Sequence, residues 1–399
     1  MRQNADTSSL DTGGTENRQA VAAGAPLIIR DVRIHRLRVL EDIGELDLAW
    51  SPGSRLMFQR GGGAFIEIET EDGLTGIGPE TDDRFLPVAR KCLIGKDAFD
   101  VERLSAQMRY YLPAGTYYQQ AGCIDIALWD LIGKACGQPL YRLWGSSNRT
   151  VTPYAAMVRL STPEERAEMA VRLKEQNWRA IKLRLHHEDM AEDIRTVRLV
   201  REAVGNDMQI MVDANQAQSK GEWQPGVIWG YRRAAETARA LQDLGCVWLE
   251  EPRPRYAFDE LARLSAAVEI PIAGGESNAD LHEFVQMCEQ NTYSILQPEC
   301  LVMNGITALR KVGVLAELYG KKIVPHNGYG KLAMIAHMHL IASWRHAPYL
   351  EVVHDPPVGD YRHFLSIFTE PPLVDDTGLI AVPDAPGLGV TIDKDLIVK

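Results

Sequence analysis

The chain is short of several things, and each shortage excludes a class of protein. Its six cysteines are scattered through 399 residues with no CxxC spacing, so they read as reduced thiols of a cytoplasmic protein and not as a disulfide framework or a zinc-thiolate site. No apolar run approaches the roughly 20 residues that a membrane span requires. The opening MRQNADTSSLDTGGTENRQ lacks the apolar centre of a signal peptide, and residues 1–25 are expected to form a disordered tail. Basic residues are in deficit, with 43 Lys and Arg against 54 Asp and Glu and a formal net charge of −11. That balance disfavours nucleic acid or an anionic membrane as a partner. What remains is a small-molecule site inside an ordinary globular chain, 45% hydrophobic and 24% charged.

The organisation changes along the chain. Residues 27–39 and 64–78 alternate as β-structure, with EDG at 71–73 as a hairpin turn. The intervening 41–63 is long and Gly-rich and is expected to be a flexible loop over a site. Residues 98–112 and 121–145 turn helical, the latter ending at Gly137 and Pro139. After 150 a regular beat sets in, with short apolar runs (VTPYAAM, AIKLRL, QIMVDAN, CVWLEE, IPIAGGE, SILQPE, KIVPHN, YLEVVH) separated by amphipathic segments. One of these carries its own start signal, a capping box of Thr162 and Glu165 with Pro163 between them.

Repeated strand–helix units give parallel strands with right-handed crossovers. Eight within about 200 residues point to a TIM-like barrel; the open-sheet alternative lacks a Gly-rich phosphate loop after its first strand. The expected division is an α+β capping domain at 26–147, completed by 367–399, and a catalytic barrel at 148–366. The tail segment 373–390 is expected to rejoin the N-terminal β region.

Barrel strands are expected to stay apolar, yet each ends in polar residues. These are Lys182 and Arg184, Asp213 and Asn215, Glu250 and Glu251, Glu276, Gln297 and Glu299, His326 and Asn327, and Glu351. Taken singly, each is ordinary: a solvated cation, a helix cap, a rim carboxylate, a hydrogen-bonded structural imidazole. Together they occupy one phase of one repeat and converge on the C-terminal mouth, where barrels place their sites. Asp213, Glu250 and Glu276 would then bring three carboxylates together, which requires a cation. An oxygen-only set suits a hard ion, and Mg²⁺ suits a site that keeps room for water or substrate. The stretch WRAIKLRLHH at 178–187 alternates so that Lys182 and Arg184 face inward together. They balance the acids and offer a seat to an anionic substrate.

In this order the motifs resemble the enolase superfamily and, within it, the mandelate racemase subgroup, over nearly the whole chain after the tail. AGCIDIALWDLIGKACGQPLYRLWG resembles the helical cap segment, and KLR the K-x-K strand. VDAN, WLEEP and GGES are similar to the three metal strands, QPE followed by NGI and then PHNG to the acid and histidine dyad, and VPDAPGLGV to the ending. The resemblance implies a (β/α)₇β barrel with an α+β cap, Mg²⁺ on Asp213, Glu250 and Glu276, and proton abstraction beside a carboxylate through an enediolate. It gives Lys182, Asn215 and Glu351 to the substrate, and Lys182, Arg184, Glu299, His326 and Glu351 to catalysis. It also suggests a homo-oligomer.

Two departures shape the reaction. Arg184 replaces the usual lysine and is a poor base at any ordinary pH; Glu299 replaces the usual aspartate and is one methylene longer. One good base, His326, suffices for eliminating a β-hydroxyl from a sugar acid, giving a 2-keto-3-deoxy product. The expected activity is therefore dehydration of an aldonate or aldarate. A racemase or epimerase of a 2-hydroxy acid, and a barrel that has lost its chemistry, are the alternatives. Substrate choice is expected to lie in 41–63 and in 216–233, whose Trp223 and Trp229 are candidates for stacking on a sugar or for anchoring the loop.

Overall fold

The computed structural model describes residues 25–111, 119–218 and 224–398; the tail expected at 1–25 lies almost wholly outside them, and Trp223 does too.

The chain opens with β1 (Ile29–Arg36), β2 (Val39–Asp47), β3 (Arg55–Gly61), β4 (Ala64–Thr70) and β5 (Thr75–Pro79). Helices α1 (Leu86–Leu93), α2 (Val101–Tyr110), α3 (Gln119–Ala135) and α4 (Leu140–Leu143) follow. β1, β4 and β5 form an antiparallel sheet, with Gly73 at φ +82° in the expected turn. α3 lies close on β5: a Cβ at Gly76 or Gly78 would stand 2.3 or 2.2 Å from an α3 carbonyl.

The expected flexible loop at 41–63 is instead a second hairpin, β2 on β3, bulged around Gly44. Leu46 and Phe58 turn inward to form a small core with Val158, while charged residues face out. Two register shifts in β2, at Val39/Glu41 and Asp42/Gly44, break the period of two that would have announced it.

After β6 (Thr150–Val151) the barrel begins. Its elements are β7 (Pro153–Ala156), α5 (Pro163–Glu175), β8 (Ala180–Arg184), α6 (Met190–Val204), β9 (Gln209–Asp213), α7 (Tyr231–Asp243), β10 (Leu249–Glu250), α8 (Phe258–Ala267), β11 (Ile272–Gly274), α9 (Leu281–Glu289), β12 (Ile295–Leu296), α10 (Ile306–Leu318), β13 (Lys322–Ile323), α11 (Lys331–Ser343) and β14 (Leu350–Val353). Eight strands with seven helices between them make the (β/α)₇β order. Every pair is parallel, in the sequence β13-β12-β11-β10-β9-β8-β7-β14. Between β13 and β14, at the seam of the curled sheet, Asn327 donates its backbone N–H to Glu351 Oε2 (3.0 Å) and its amide to the Glu351 carbonyl (2.9 Å). The Thr162 and Glu165 capping box starts α5 as expected.

Strand alternation sorts the barrel residues into two layers. Ile181, Leu183, Ile210, Val212, Leu249, Ile272 and Leu350 face the helices. Tyr154, Ala180, Met211, Trp248 and Ala273 fill the interior. The chain ends with α12 (Arg362–Leu365) and β15 (Ile380–Ala381). β15 pairs with β6 and not with the cap sheet, while Val398 donates its N–H to the Arg36 carbonyl (2.9 Å) beyond it. The expected return to the N-terminal region is thus made by the last residues and not by 373–390 as a strand. All six cysteines are free; Cys136 is exposed and so is not core filling. Among the described residues no helix is long and apolar enough to cross a membrane.

Candidate active site

Parallel register levels the site. Arg184 stands opposite Asp213, Asp213 opposite Glu250, and Glu250 opposite Ala273. All four share the inward phase, so one cation and two carboxylates lie abreast at the strand tips. Glu276 follows just past β11. One carboxylate oxygen from each of Asp213, Glu250 and Glu276 falls within 4.8 Å of the others.

Lys182 is fully buried, with Nζ 2.8 Å from Glu250 Oε1, 2.6 Å from Glu351 Oε1 and 3.7 Å from Asp213 Oδ2. Burial disfavours its charge, but Glu250 and Glu351 outweigh this and hold it protonated. Glu250 also accepts from Gln297 Nε2 (2.8 Å) and Trp248 Nε1 (3.1 Å). Burial would raise its pKa, but Lys182 pulls it below the usual value. Glu351 is drawn down to about 2, Lys182 and His326 overcoming burial.

Arg184 bonds Asp213 and reaches Asn215 Oδ1 at 3.2 Å. Asn215 in turn gives its backbone N–H (2.7 Å) and its amide (3.1 Å) to Asp213. Asn215, expected as a substrate contact, here gives its amide to the Asp213 carboxylate.

The crowding of acids favours a cation. With Asp213, Glu250, Glu276 and Glu351 all ionised, four negative charges face Lys182, Arg184 and, when protonated, His326. Carboxylate oxygens within 4.8 Å of one another repel by about 3.5 kcal/mol or more per ionised pair at an effective dielectric of about 20. Burial, with Glu250 adding to it against Arg184, pushes Asp213 up to about 8. Glu276 Oε2 is buried with no hydrogen bond, although His326 Nε2 is 3.4 Å away. An all-oxygen set with an orphaned buried oxygen fits Mg²⁺. Neighbouring Glu251 is buried in a left-handed conformation at φ +43°. Burial and then Glu276 drive its pKa well above the usual carboxylate value.

The dyad also forms. His326 Nδ1 is 3.2 Å from Glu299 Oε2. The other Glu299 oxygen accepts from the Leu301 N–H and the Cys300 thiol, both at 3.3 Å. His337, buried on α11, takes the Cys300 N–H on Nε2 (3.2 Å) behind it. The extra methylene of glutamate is thus accommodated from the rear.

Three contributions were not foreseen. Trp50, at the end of the β2–β3 hairpin, stacks its ring 4.6 Å from the Arg184 guanidinium; Trp248 fixes Glu250, as does Gln297, which was expected at the mouth but in no such role. Trp229 is buried and its N–H meets Gln216 Oε1 at 2.6 Å, so it anchors its loop.

Comparison with known proteins identifies the family. Residues 164–396 match the family described as enolase C-terminal domain-like. Residues 57–145 match the mandelate racemase / muconate lactonizing enzyme N-terminal domain. The chain belongs to the enolase superfamily, in its mandelate racemase subgroup. It is 30% identical to an arabinonate dehydratase of Saccharolobus solfataricus, over 82% of this chain and 87% of that protein. It is equally 30% identical to a D-galactarolactone cycloisomerase of Agrobacterium fabrum, over 93% and 98%. The magnesium complex of D-glucarate dehydratase from Agrobacterium tumefaciens superposes with a TM-score of 0.79 at 26% identity, covering 94% of this chain and 100% of that one.

Proposed function

We propose that this enolase-superfamily member is a Mg²⁺-dependent sugar-acid dehydratase, a hydro-lyase. The observation that carries the reading is the placement of a single imidazole, His326, beside a three-carboxylate cluster balanced by Lys182 and Arg184. Asp213, Glu250 and Glu276 would hold the metal. When bound, Mg²⁺ supplies positive charge to the substrate carboxylate and so favours loss of the α-proton. Lys182 holds that carboxylate from the β8 side, and Glu351 can bond it from the β14 side only in its protonated form, since an ionised carboxylate has no donor. His326 takes the α-proton, and the electron pair moves onto the carboxylate to give an enediolate. Its collapse expels the β-hydroxyl, which leaves as water with the proton now on the ring, and the enol tautomerises to the 2-keto-3-deoxy acid. Glu299 fixes the ring and supports its charged form.

Relatives named as dehydratases support this reading, and the cycloisomerase relative supplies the competing one. Arg184 argues against two-base racemisation. Burial disfavours its charge, but Asp213 and then Glu250 overcome this, so it is held more firmly protonated than free arginine. The family resemblance also points to a cytoplasmic homo-oligomer with the domain division given above. A screen of mono- and dicarboxylic sugar acids, reading 2-keto product with and without EDTA, tests the proposal. Metal-dependent product supports it; recovery of epimerised substrate without dehydration refutes it.

A further inference from the structure

A cavity of about 410 Å³ opens between the cap and the barrel rim beside the His326 loop. Gln59, Glu80, Tyr329 and Lys331 supply its polar wall, with Leu301 and Phe364 among its apolar ones. Gly328 joins it to the chemistry: it lines the cavity, and a Cβ there would stand 2.6 Å from His326 Cε1.

Lys331 opens α11 in a left-handed conformation at φ +49°, a geometry non-glycine residues adopt rarely. Its half-buried ammonium donates to the Gly62 carbonyl at 2.9 Å. Among the described residues it forms no ion pair, and only the more distant Glu80 acts on its charge. The seat is built for it. Gly61, Gly62 and Gly63 all have positive φ (+68°, +67° and +80°), and a Cβ at Gly63 would fall 2.5 Å from Lys331 Nζ. An ammonium carries three donors, so two remain for a ligand. Burial lowers the lysine pKa in spite of Glu80, a desolvation cost that a closer anion would offset.

We infer that Lys331 receives the second carboxylate of a dicarboxylic sugar acid, so that the substrates are aldarates. The inference rests on the dehydratase reading. One carboxylate lies against Lys182 and the metal, the α-carbon faces His326, and the polyhydroxy chain passes Gly328 into the cavity. Gln59 and Glu80 meet its hydroxyls there.

The test compares kcat/KM for hexarates and matching hexonates in the Mg²⁺-loaded enzyme. Wild type is expected to favour the diacid, and Lys331→Met to lower the diacid-to-monoacid ratio at least tenfold, with Lys331→Arg recovering part of it. As a measurement independent of any variant, glutarate should inhibit the wild type at least tenfold more tightly than butyrate. Preference for hexonates, or a ratio unmoved by Lys331→Met, overturns the assignment while leaving dehydration intact. Turnover of neither class overturns the dehydratase reading and this inference with it.

Discussion

His326 stands between two carboxylates, with Nδ1 3.2 Å from Glu299 Oε2 and Nε2 3.4 Å from Glu276 Oε2. Burial disfavours a charged ring, yet Glu276, Glu351 and Glu299 together raise its pKa to about 10. Loading a cation onto Glu276 removes part of that support and shifts the ring back toward neutrality, which readies it as a base. Replacing His326 by asparagine keeps a polar side chain of similar bulk but no base. Turnover should fall by about 10² to 10⁴, while Mg²⁺ binding by calorimetry persists. Wild-type turnover in this variant would remove His326 from the mechanism.

The metal ligands themselves predict a pH dependence. Asp213 is an acid raised from 3.8 to about 8 by burial first, so in the metal-free protein at neutral pH it is mostly protonated. Binding needs the carboxylate, so Mg²⁺ uptake below about pH 8 should release a proton. Apparent affinity should rise with pH up to that point and level off above it. Titrations in buffers of different ionisation enthalpy measure the released proton directly. Glu276→Gln should weaken binding by at least about tenfold, the scale of lost ligand support. Unchanged affinity in the mutant would take Glu276 out of the set.

Much of this was legible because barrel strands expose function through contradiction. Lys182, Asp213 and Glu250 are polar where an interior strand position should be apolar, and parallel register alone brings Arg184, Asp213 and Glu250 abreast. What escaped depends on contacts between distant segments. The β2–β3 hairpin was hidden because two register shifts in β2 interrupt its period of two, and most of its residues face solvent. Trp50 reaches Arg184 across 134 positions of chain, and no local pattern announces that. Asn215 looked like a substrate contact because it lies at a strand tip, but its backbone turns left-handed at φ +48° and folds the amide back onto Asp213. Lys331 had a local signal in HNGYGK, a cation one short loop beyond the histidine.

Asp130 offers a test of how cap, barrel approach and C-terminal segment are held together. The side chain is almost fully buried on α3. It accepts from the Leu388 N–H (2.7 Å) on one oxygen, and from the Ile77 N–H (2.8 Å) and Lys134 Nζ (2.7 Å) on the other. Asp130→Ala leaves two buried backbone donors without a partner, and each such loss costs about 1–3 kcal/mol. The urea midpoint should therefore drop by the equivalent of about 2–4 kcal/mol, with Mg²⁺ affinity unchanged. A shift below about 0.5 kcal/mol, the scale of a neutral surface change, would show that these bonds are replaceable by water.

Trp50 ties the cap to the chemistry. Its indole lies over Arg184, and a Cβ at Gly226 would stand 3.2 Å from the Trp50 carbonyl, so the hairpin end also meets the loop after β9. A guanidinium on an indole contributes about 0.5–2 kcal/mol, too little to decide folding but enough to decide where Arg184 points. Trp50→Ala should let Arg184 swing and admit water above the metal ligands. The expected signature is a several-fold rise in KM with a fall in kcat, at a stability cost within about 2 kcal/mol. Trp50→Phe keeps an aromatic face and should recover much of the loss. Equal defects in both variants would mean that bulk and not the stacked ring matters, and wild-type kinetics in Trp50→Ala would show that the hairpin plays no part in closing the site.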